Sequence, residues 1–212
     1  IDALTKVPNR MQFQHLLQRA LARARRGRHR LALIYMDVDK FKEINDTFGH
    51  TAGDLCLETL TTRLRNLLPE GSVIGRMAGD EFGVILDNLD PGRNLRAEVV
   101  ATTRLLQEAI SELLNSQGPQ IYTTVSAGIS MYPGDGNNVI DLIRNADAAL
   151  YRAKRQGGGA LDVYHPDMNA AAVDRLMLKS RLRKAFEKNE LRVHYQPKID
   201  LRDGSIAGAE AL

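Results

Sequence analysis

A three-residue connection a little over a third of the way along the chain does most to limit its fold. The strand-like runs Ser72–Met77 and Glu81–Leu86 are separated only by Ala78-Gly79-Asp80. A link that short joins antiparallel neighbours, because a parallel crossover needs about a dozen residues or more. The wider pattern reads α-β-α-β-β-α-β-α-β. A hairpin in its middle argues against a purely parallel, doubly wound sheet. It predicts an α+β fold with a mostly antiparallel central sheet flanked by helices.

The elements follow from hydrophobic periodicity. Met11, Phe13, Leu16, Leu17 and Leu21 recur at helical spacing, so Pro8–Arg26 is predicted helical, with Asn9 as its cap. Leu31–Val38 is an apolar run ending in acids, the mark of a buried strand. A turn and a helix over Gly53–Leu68 follow, with Asp54 in the first turn of that helix. Leu95–Leu114 is a further helix and Tyr122–Tyr132 a strand. Val139–Arg155 is a helix closed by Gly157, Gly158 and Gly159, and Leu161–Tyr164 is a last edge strand. Beyond these, Val173–Lys188 reads as an amphipathic helix, Leu191–Pro197 as a strand and Arg202-Asp203-Gly204 as a turn. The organisation predicted is a domain over 1–165, a connecting helix over 166–190, and a tail over 191–212 too short to fold alone.

Composition removes some functions. The chain has 212 residues, 43% of them hydrophobic, enough for one buried core. No apolar run approaches the roughly 20 residues of a membrane span. Ile1-Asp2-Ala3 reads as the interior of a longer protein. The expectation is a cytoplasmic domain whose parent is anchored, if at all, through upstream segments. Cys56 is the single cysteine, which suits a reducing compartment and a small core residue. Arg19, Arg23, Arg25, Arg26, Arg28 and Arg30 crowd one segment. Without interleaved aromatics the run reads as a solvated helix end and not as a nucleic-acid patch.

Acids mark the candidate chemistry. Asp37-Val38-Asp39 closes a buried strand, where a carboxylate is costly unless solvated, paired or metal-bound. Asp80-Glu81 sits at the hairpin tip. Convergence of the two pairs would suit Mg²⁺, which takes oxygen ligands and keeps water or phosphate oxygens for the rest. Plain turn residues are the alternative. A calcium loop is excluded, since Lys42 stands where its sharp turn needs Gly. No P-loop is present. Lys40, Lys42 and Lys154 are candidate phosphate cations, and the glycines at 157–159 read as a helix stop. Asn45, Asp46, His50 and Asp54 lie between strand and helix. An Asn–Asp pair can read the donor edge of guanine, or these residues can simply cap and turn the chain.

Taken together, the motifs resemble the GGDEF family. Asp37-Val-Asp-Lys-Phe-Lys-Glu-Ile-Asn45-Asp46-Thr-Phe-Gly49-His50, then Gly53-Asp54, is similar to its first signature. Arg76-Met-Ala78-Gly79-Asp80-Glu81-Phe82 is similar to the name-giving signature, as AGDEF. Asp2-Ala-Leu-Thr-Lys6-Val-Pro-Asn-Arg10 is similar to the opening D-x-L-T-G-L-P-N-R. Ser126–Ser130 and Ala146-Asp147 through Lys154 match later blocks. The resemblance implies the palm-like sheet of nucleotidyl cyclases and polymerases, here five-stranded, and a diguanylate cyclase type of nucleotidyltransferase. It implies Mg²⁺ (or Mn²⁺) held by Asp37, the Val38 carbonyl and Asp80 or Glu81. Asn45 and Asp54 would read guanine, with His50 beside them. Phe41, Lys42 and Lys154 would hold the triphosphate, and Asp80, with Glu81, would serve as base. Two GTP-loaded domains would face each other as a homodimer to make cyclic di-GMP. His194-Tyr195-Gln196-Pro197 and Glu210-Ala211-Leu212 resemble the start of an EAL phosphodiesterase domain. There Glu210 would bind metal and Gln196 approach substrate, in a site too incomplete for activity. No nucleic-acid partner is expected.

Three departures bear on activity. Ala78 replaces the first signature Gly, which matters if that position needs positive φ or touches the nucleotide. Gly158 stands where the family has a phosphate-binding Arg, and Gly159 where it has Asn. Pro69-Glu70-Gly71-Ser72 replaces the R-x-x-D of the product-inhibition site, so feedback there is expected to be absent. Lys6 replaces a Gly of the opening motif, a milder change. The readings that follow are a weak cyclase or a GTP-binding regulator of an adjoining EAL domain. An inert structural or nucleic-acid-binding palm domain is the alternative.

Overall fold

The computed structural model describes residues 1–90, 92, 94–111, 123–169, 185, 187, 188, 190 and 192–211. The chain divides into two compact units, Ile1–Asn169 and Ala170–Leu212. The first runs α1 (Arg10–Gly27), β1 (Arg30–Val38), α2 (Phe41–Phe48), α3 (His50–Leu67), β2 (Val73–Ala78), β3 (Glu81–Leu89), α4 (Leu95–Ser111), β4 (Val125–Tyr132), α5 (Val139–Lys154) and β5 (Leu161–Val163). Its sheet has five strands in the order β2-β3-β1-β4-β5. All pairings are antiparallel except β4 with β5. The α+β, mostly antiparallel architecture expected from the hairpin is the one found.

Strand β1 occupies the centre, and its burial shows why it reads as a continuous apolar run. Every residue from Leu31 to Val38 is buried, because helices cover both faces. Ala32, Ile34, Met36 and Val38 join Leu57, Leu60 and Leu64 of α3 and Val99, Leu106 and Ile110 of α4. Leu31, Leu33 and Tyr35 join Phe13, Leu17 and Leu21 of α1 and Leu142, Ala146 and Leu150 of α5. Each large apolar side chain fully buried in this way stabilises the fold by about 1.5–3 kcal/mol. Asp37 shares the α1–α5 face by the alternation of the strand.

Helix α5 lies unusually close to β4. A Cβ on Gly128 would come within 2.1 Å of the Ala146 carbonyl oxygen and the Leu150 nitrogen. Only glycine allows this approach, and it brings the end of α5, with Lys154, over the end of β1.

Some local expectations are corrected. Phe41–Phe48 is a helix and not part of a turn. The next helix begins at His50, so Asp54 lies beyond its first turn. Asn45, Asp46, His50 and Asp54 are therefore helical and not in a connecting loop. Phe41, Ile44, Ala52 and Cys56 pack together at the α2–α3 corner, and that contact holds so short a helix. Cys56 is buried, and burial pushes its thiol up to about 11, so it is a core residue without thiolate character. Asn9 caps α1 by accepting from the Gln12 nitrogen. Arg25 and Arg26 end α1, and Arg23 pairs with Asp87 at 2.6 Å. Part of the arginine run thus ties α1 to β3.

In the second unit, β6 (Tyr195–Ile199) and β7 (Ile206–Ala211) form an antiparallel hairpin. The strand expected over Leu191–Pro197 begins later, because its pairing with β7 starts at Tyr195. The helix expected over Val173–Lys188 lies outside the described residues, apart from Ala185, Glu187 and Lys188, as do Tyr122 and the residues expected to extend α4 to Leu114. No helix among the described residues is long and apolar enough to cross a membrane.

Candidate nucleotide and metal site

The end of β1 meets the hairpin tip. Asp37 lies opposite Glu81 in the β1–β3 register and opposite Ser126 in the β1–β4 register. The Val38 N–H donates to the Asp80 carbonyl at 3.3 Å. Lys154, the last residue of α5, places Nζ 2.6 Å from Asp37 Oδ2. Asp37, the Asp80–Glu81 pair and Lys154, distant from one another in sequence, thus form one charged centre.

The electrostatics show a site short of positive charge. Burial pushes Asp37 up to about 6. The Lys154 hydrogen bond opposes this, while the charges of Asp80 and Glu81 add to it. Burial also raises Glu81, helped by Asp147 and Asp80 and opposed by Lys154 and Arg10. Asp147 of α5 keeps an exposed surface, yet desolvation of its carboxyl raises it against the pull of Lys154. Sequence reading missed Asp147. Its signal was the spacing of seven that puts it on the same helical face as Lys154.

Asp39 does not join the centre. Its carboxylate accepts from Thr124 Oγ1 at 2.6 Å, Ser126 Oγ at 2.7 Å and the Gly159 N–H at 2.7 Å. It clasps the glycine run that follows Lys154 and has little capacity left for a metal. Of the two acidic pairs seen in sequence, one member is thus structural.

Among the described residues no group of three or more His, Cys, Asp or Glu side chains is arranged to hold a metal ion. The donors at Asp37, the Val38 carbonyl and the hairpin acids nevertheless fit Mg²⁺. That ion commonly takes one or two carboxylates and completes its shell with water and substrate phosphates.

The candidate base-reading residues gather at the α2–α3 corner. A Cβ on Gly53 would lie 2.0 Å from Asn45 Oδ1. Glycine there lets the Asn45 amide lie against α3, next to the exposed Asp54. Lys42 is exposed in the first turn of α2, and Phe41 is half-buried beside it. His50 is exposed at the start of α3. Gln196 and Glu210 belong to the other unit, where they are register partners across β6 and β7.

The hairpin turn has a support that sequence reading did not find. Arg76 Nε donates to the Gly79 carbonyl at 2.7 Å, and its NH1 reaches Asp2 Oδ1 at 3.1 Å. The N–H and hydroxyl of Thr5 also donate to Asp2 Oδ1, at 2.8 and 2.7 Å. The opening motif is therefore a brace for the turn carrying Asp80 and Glu81. An open cleft of about 380 Å³ lies beside it, lined by Asp2, Asn9, Arg10, Arg76, Ala78 and Gly79 among others. Asp37, Asp80, Glu81 and Lys154 do not line it, so the site is defined by the charged centre and not by this cleft. Gly79 has φ +45°, whereas Ala78 is not among the positive-φ residues and is exposed. Replacement of the first signature Gly therefore strains no backbone. Lys6 has φ +57°, which explains why glycine suits that position.

A five-stranded, mostly antiparallel sheet with acids at the end of its central strand and on the neighbouring hairpin defines a palm-like nucleotidyl-cyclase fold. Residues 1–160 match the family described as diguanylate cyclase, GGDEF domain, and the chain belongs to that family. Over 211 residues it is 38% identical to the bifunctional diguanylate cyclase/cyclic di-GMP phosphodiesterase MucR of Pseudomonas aeruginosa, matching 100% of this chain and 30% of that protein. It is 35% identical over 211 residues to the cyclic di-GMP phosphodiesterase PdeR of Escherichia coli, matching 100% of this chain and 31% of that protein. The chain thus spans about a third of the length of these relatives. Among solved structures, the GGDEF domain of TpbB (YfiN) from P. aeruginosa has a TM-score of 0.74 at 35% identity, covering 81% of this chain and 98% of that one. The GGDEF domain of DgcB from Caulobacter crescentus, in complex with c-di-GMP, has a TM-score of 0.67 at 28% identity, covering 76% and 91%. The domain is homologous to diguanylate cyclases, a family of cyclic-di-GMP signalling.

Proposed function

We propose that residues 1–165 are a GTP-binding domain of cyclic-di-GMP signalling with weak diguanylate cyclase activity. The observation that carries this reading is the crowding of Asp37, Asp80 and Glu81 at one end of the sheet, with Lys154 drawn onto Asp37. Asp37, the Val38 carbonyl and Asp80 or Glu81 are the residues that would hold Mg²⁺ (or Mn²⁺). That ion would neutralise charge developing on the phosphates and orient them. Lys42, the backbone N–H near Phe41, and Lys154 bind the triphosphate. Asn45 and Asp54 read the edge of guanine by hydrogen bonds, with His50 at the border of that corner.

Synthesis needs two copies of the domain facing each other, each with one GTP. The 3′-oxygen of each GTP attacks the α-phosphorus of the other, and pyrophosphate leaves with the electron pair of the cleaved P–O bond. Asp80, with Glu81 beside it, takes the 3′-hydroxyl proton. Gly158 supplies no guanidinium to the phosphates, and loss of one charge-assisted hydrogen bond costs about 1.5–3 kcal/mol. Weak turnover follows from that.

The same loss favours a second reading, in which the domain binds GTP without turnover and regulates an adjoining EAL phosphodiesterase domain. Residues 191–212 would be the start of that domain and 166–190 the connector. Gln196 and Glu210 would be two of its site positions. A nucleic-acid role has little support, since Arg23 of the arginine run is engaged with Asp87.

The test is incubation of concentrated protein with GTP and Mg²⁺, followed by chromatography of the nucleotides. Cyclic di-GMP from the unsubstituted protein, and none from Asp80→Ala/Glu81→Ala, supports the cyclase. Absence of product with Mg²⁺-dependent GTP binding supports the regulator.

A further inference from the structure

We infer that Lys154 is a displaceable occupant of the cation position on Asp37, so that the site takes metal together with nucleotide and resists metal alone. The inference rests on the GTP and Mg²⁺ reading above and adds an order of binding to it.

The geometry carries the argument. Lys154 Nζ sits 2.6 Å from Asp37 Oδ2, and the two side chains are 40% and 8% exposed. The carboxylate is fixed in the sheet by the pairing of β1 with both β3 and β4. The ammonium is at the last residue of α5, with outward room and a glycine run shortly after it. Of the two partners, only the lysine can leave.

A divalent ion on Asp37 would sit about 2.0–2.1 Å from its oxygen if it were Mg²⁺. Ammonium and metal on the same oxygen atom would then be two cations a few ångströms apart, in a partly desolvated site where their repulsion is little screened. One must yield. A bare metal ion has to expel Lys154 and leaves it only Glu81 and Asp147, in the same crowded centre as the metal, to pair with. A metal arriving on a triphosphate brings a new anion, and Lys154 can move from Asp37 to a phosphate oxygen. The exchange keeps every charge paired. Lys154 also offsets Glu81 and Asp147, so the acids are held together by the same group that would bind substrate.

The test is direct titration of Mn²⁺ in the absence of nucleotide, read by the electron paramagnetic resonance signal of the free ion. The full chain is compared with Lys154→Met, Lys154→Gln and a charge control, Arg155→Met. Removing Lys154 is expected to tighten Mn²⁺ about tenfold or more, since a directly competing charge is lost. Arg155 is an exposed residue one position on, and its loss is expected to change affinity about twofold or less. With a GTP analogue whose α,β-bridge is methylene, the unsubstituted chain is expected to gain Mn²⁺ affinity and the Lys154 variants to lose that advantage. If both Lys154 variants, shown folded by circular dichroism, bind bare Mn²⁺ no better than Arg155→Met, the inference is overturned while the GTP–metal reading stands. If no protein takes up Mn²⁺ even with the analogue, the GTP–metal reading fails and the inference with it.

Discussion

Arg76 reaches back across the signature turn, its Nε 2.7 Å from the carbonyl oxygen of Gly79. The same guanidinium holds Asp2, so the position of Asp80 and Glu81 depends on the first residues of the chain. Both partners are mostly buried, with side chains 15% and 22% exposed. Asp2→Ala is therefore expected to cost about 1.5–3 kcal/mol in urea unfolding. GTP affinity should fall with it as the turn loosens. Burial alone would raise the Asp2 carboxyl, but Thr5 and Arg76 outweigh it and hold the group below its ordinary value. Its contribution is full above the unfolded value of about 3.9. It is lost as pH falls through the lower folded value.

Asp37 has the opposite sign. Its folded value is pushed up to about 6 from 3.8. Between those two values the folded state holds a proton that the unfolded state has released. Stability should therefore fall as pH rises through this window, by about 2–3 kcal/mol in all. Urea midpoints of the unsubstituted protein and Asp37→Asn, compared across the window, check this. The variant should gain on the unsubstituted protein as pH rises to the upper value. Above it the gap should stay constant, because the Asp37 carboxylate is then fully charged.

Two departures from the family pattern should respond differently to reversal. Lys6 is held at φ +57°, where a side chain costs about 1–2 kcal/mol relative to glycine. Lys6→Gly is expected to stabilise by about 1 kcal/mol after its extra unfolded-state entropy is subtracted. Ala78 has no such strain. Ala78→Gly is expected to be neutral or to destabilise by up to about 1 kcal/mol. Thermal unfolding of the two variants separates these outcomes.

Asp39 is expected to act as a clasp and not as a metal ligand. Asp39→Ala removes three hydrogen bonds, to Thr124, Ser126 and Gly159. Leaving those donors without their partner should cost about 1–3 kcal/mol. Mn²⁺ affinity, measured with the methylene-bridged GTP analogue, should change far less than in Asp37→Asn. Denaturant unfolding and Mn²⁺ titration on the same preparations check both halves.

These contrasts show what a sequence can carry. The hairpin, β1 and the amphipathic helices were legible because burial on a sheet or helix face leaves a period of its own. Asp37, Asp80, Glu81 and Lys154 were nominated by the resemblance to the family's motifs, since acids at strand ends and a lysine at a helix end read equally as turn and cap residues. Their meeting at one end of the sheet is a tertiary fact. Helix α2 was not. Lys40 at its start is left-handed and offers no side-chain cap, and Ile44 is its only buried residue. Packing against Cys56 decides it, and that contact has no local signal. Strand β7 was missed because Ala207, Gly208 and Ala209 carry no strand-like alternation. The Arg76–Asp2 and Asp39–Gly159 contacts join residues 74 and 120 positions apart. Nothing in the intervening sequence points from one partner to the other.

Whether Asp37 holds a metal-bound GTP is decided by calorimetric titration of GTP, with and without Mg²⁺, into the unsubstituted protein and Asp37→Asn. Binding is expected to require Mg²⁺ and to weaken at least about tenfold in the variant, the loss of one charged ligand being worth about 1.4 kcal/mol or more. Equal binding by the two proteins, or binding indifferent to Mg²⁺, would contradict that role of Asp37.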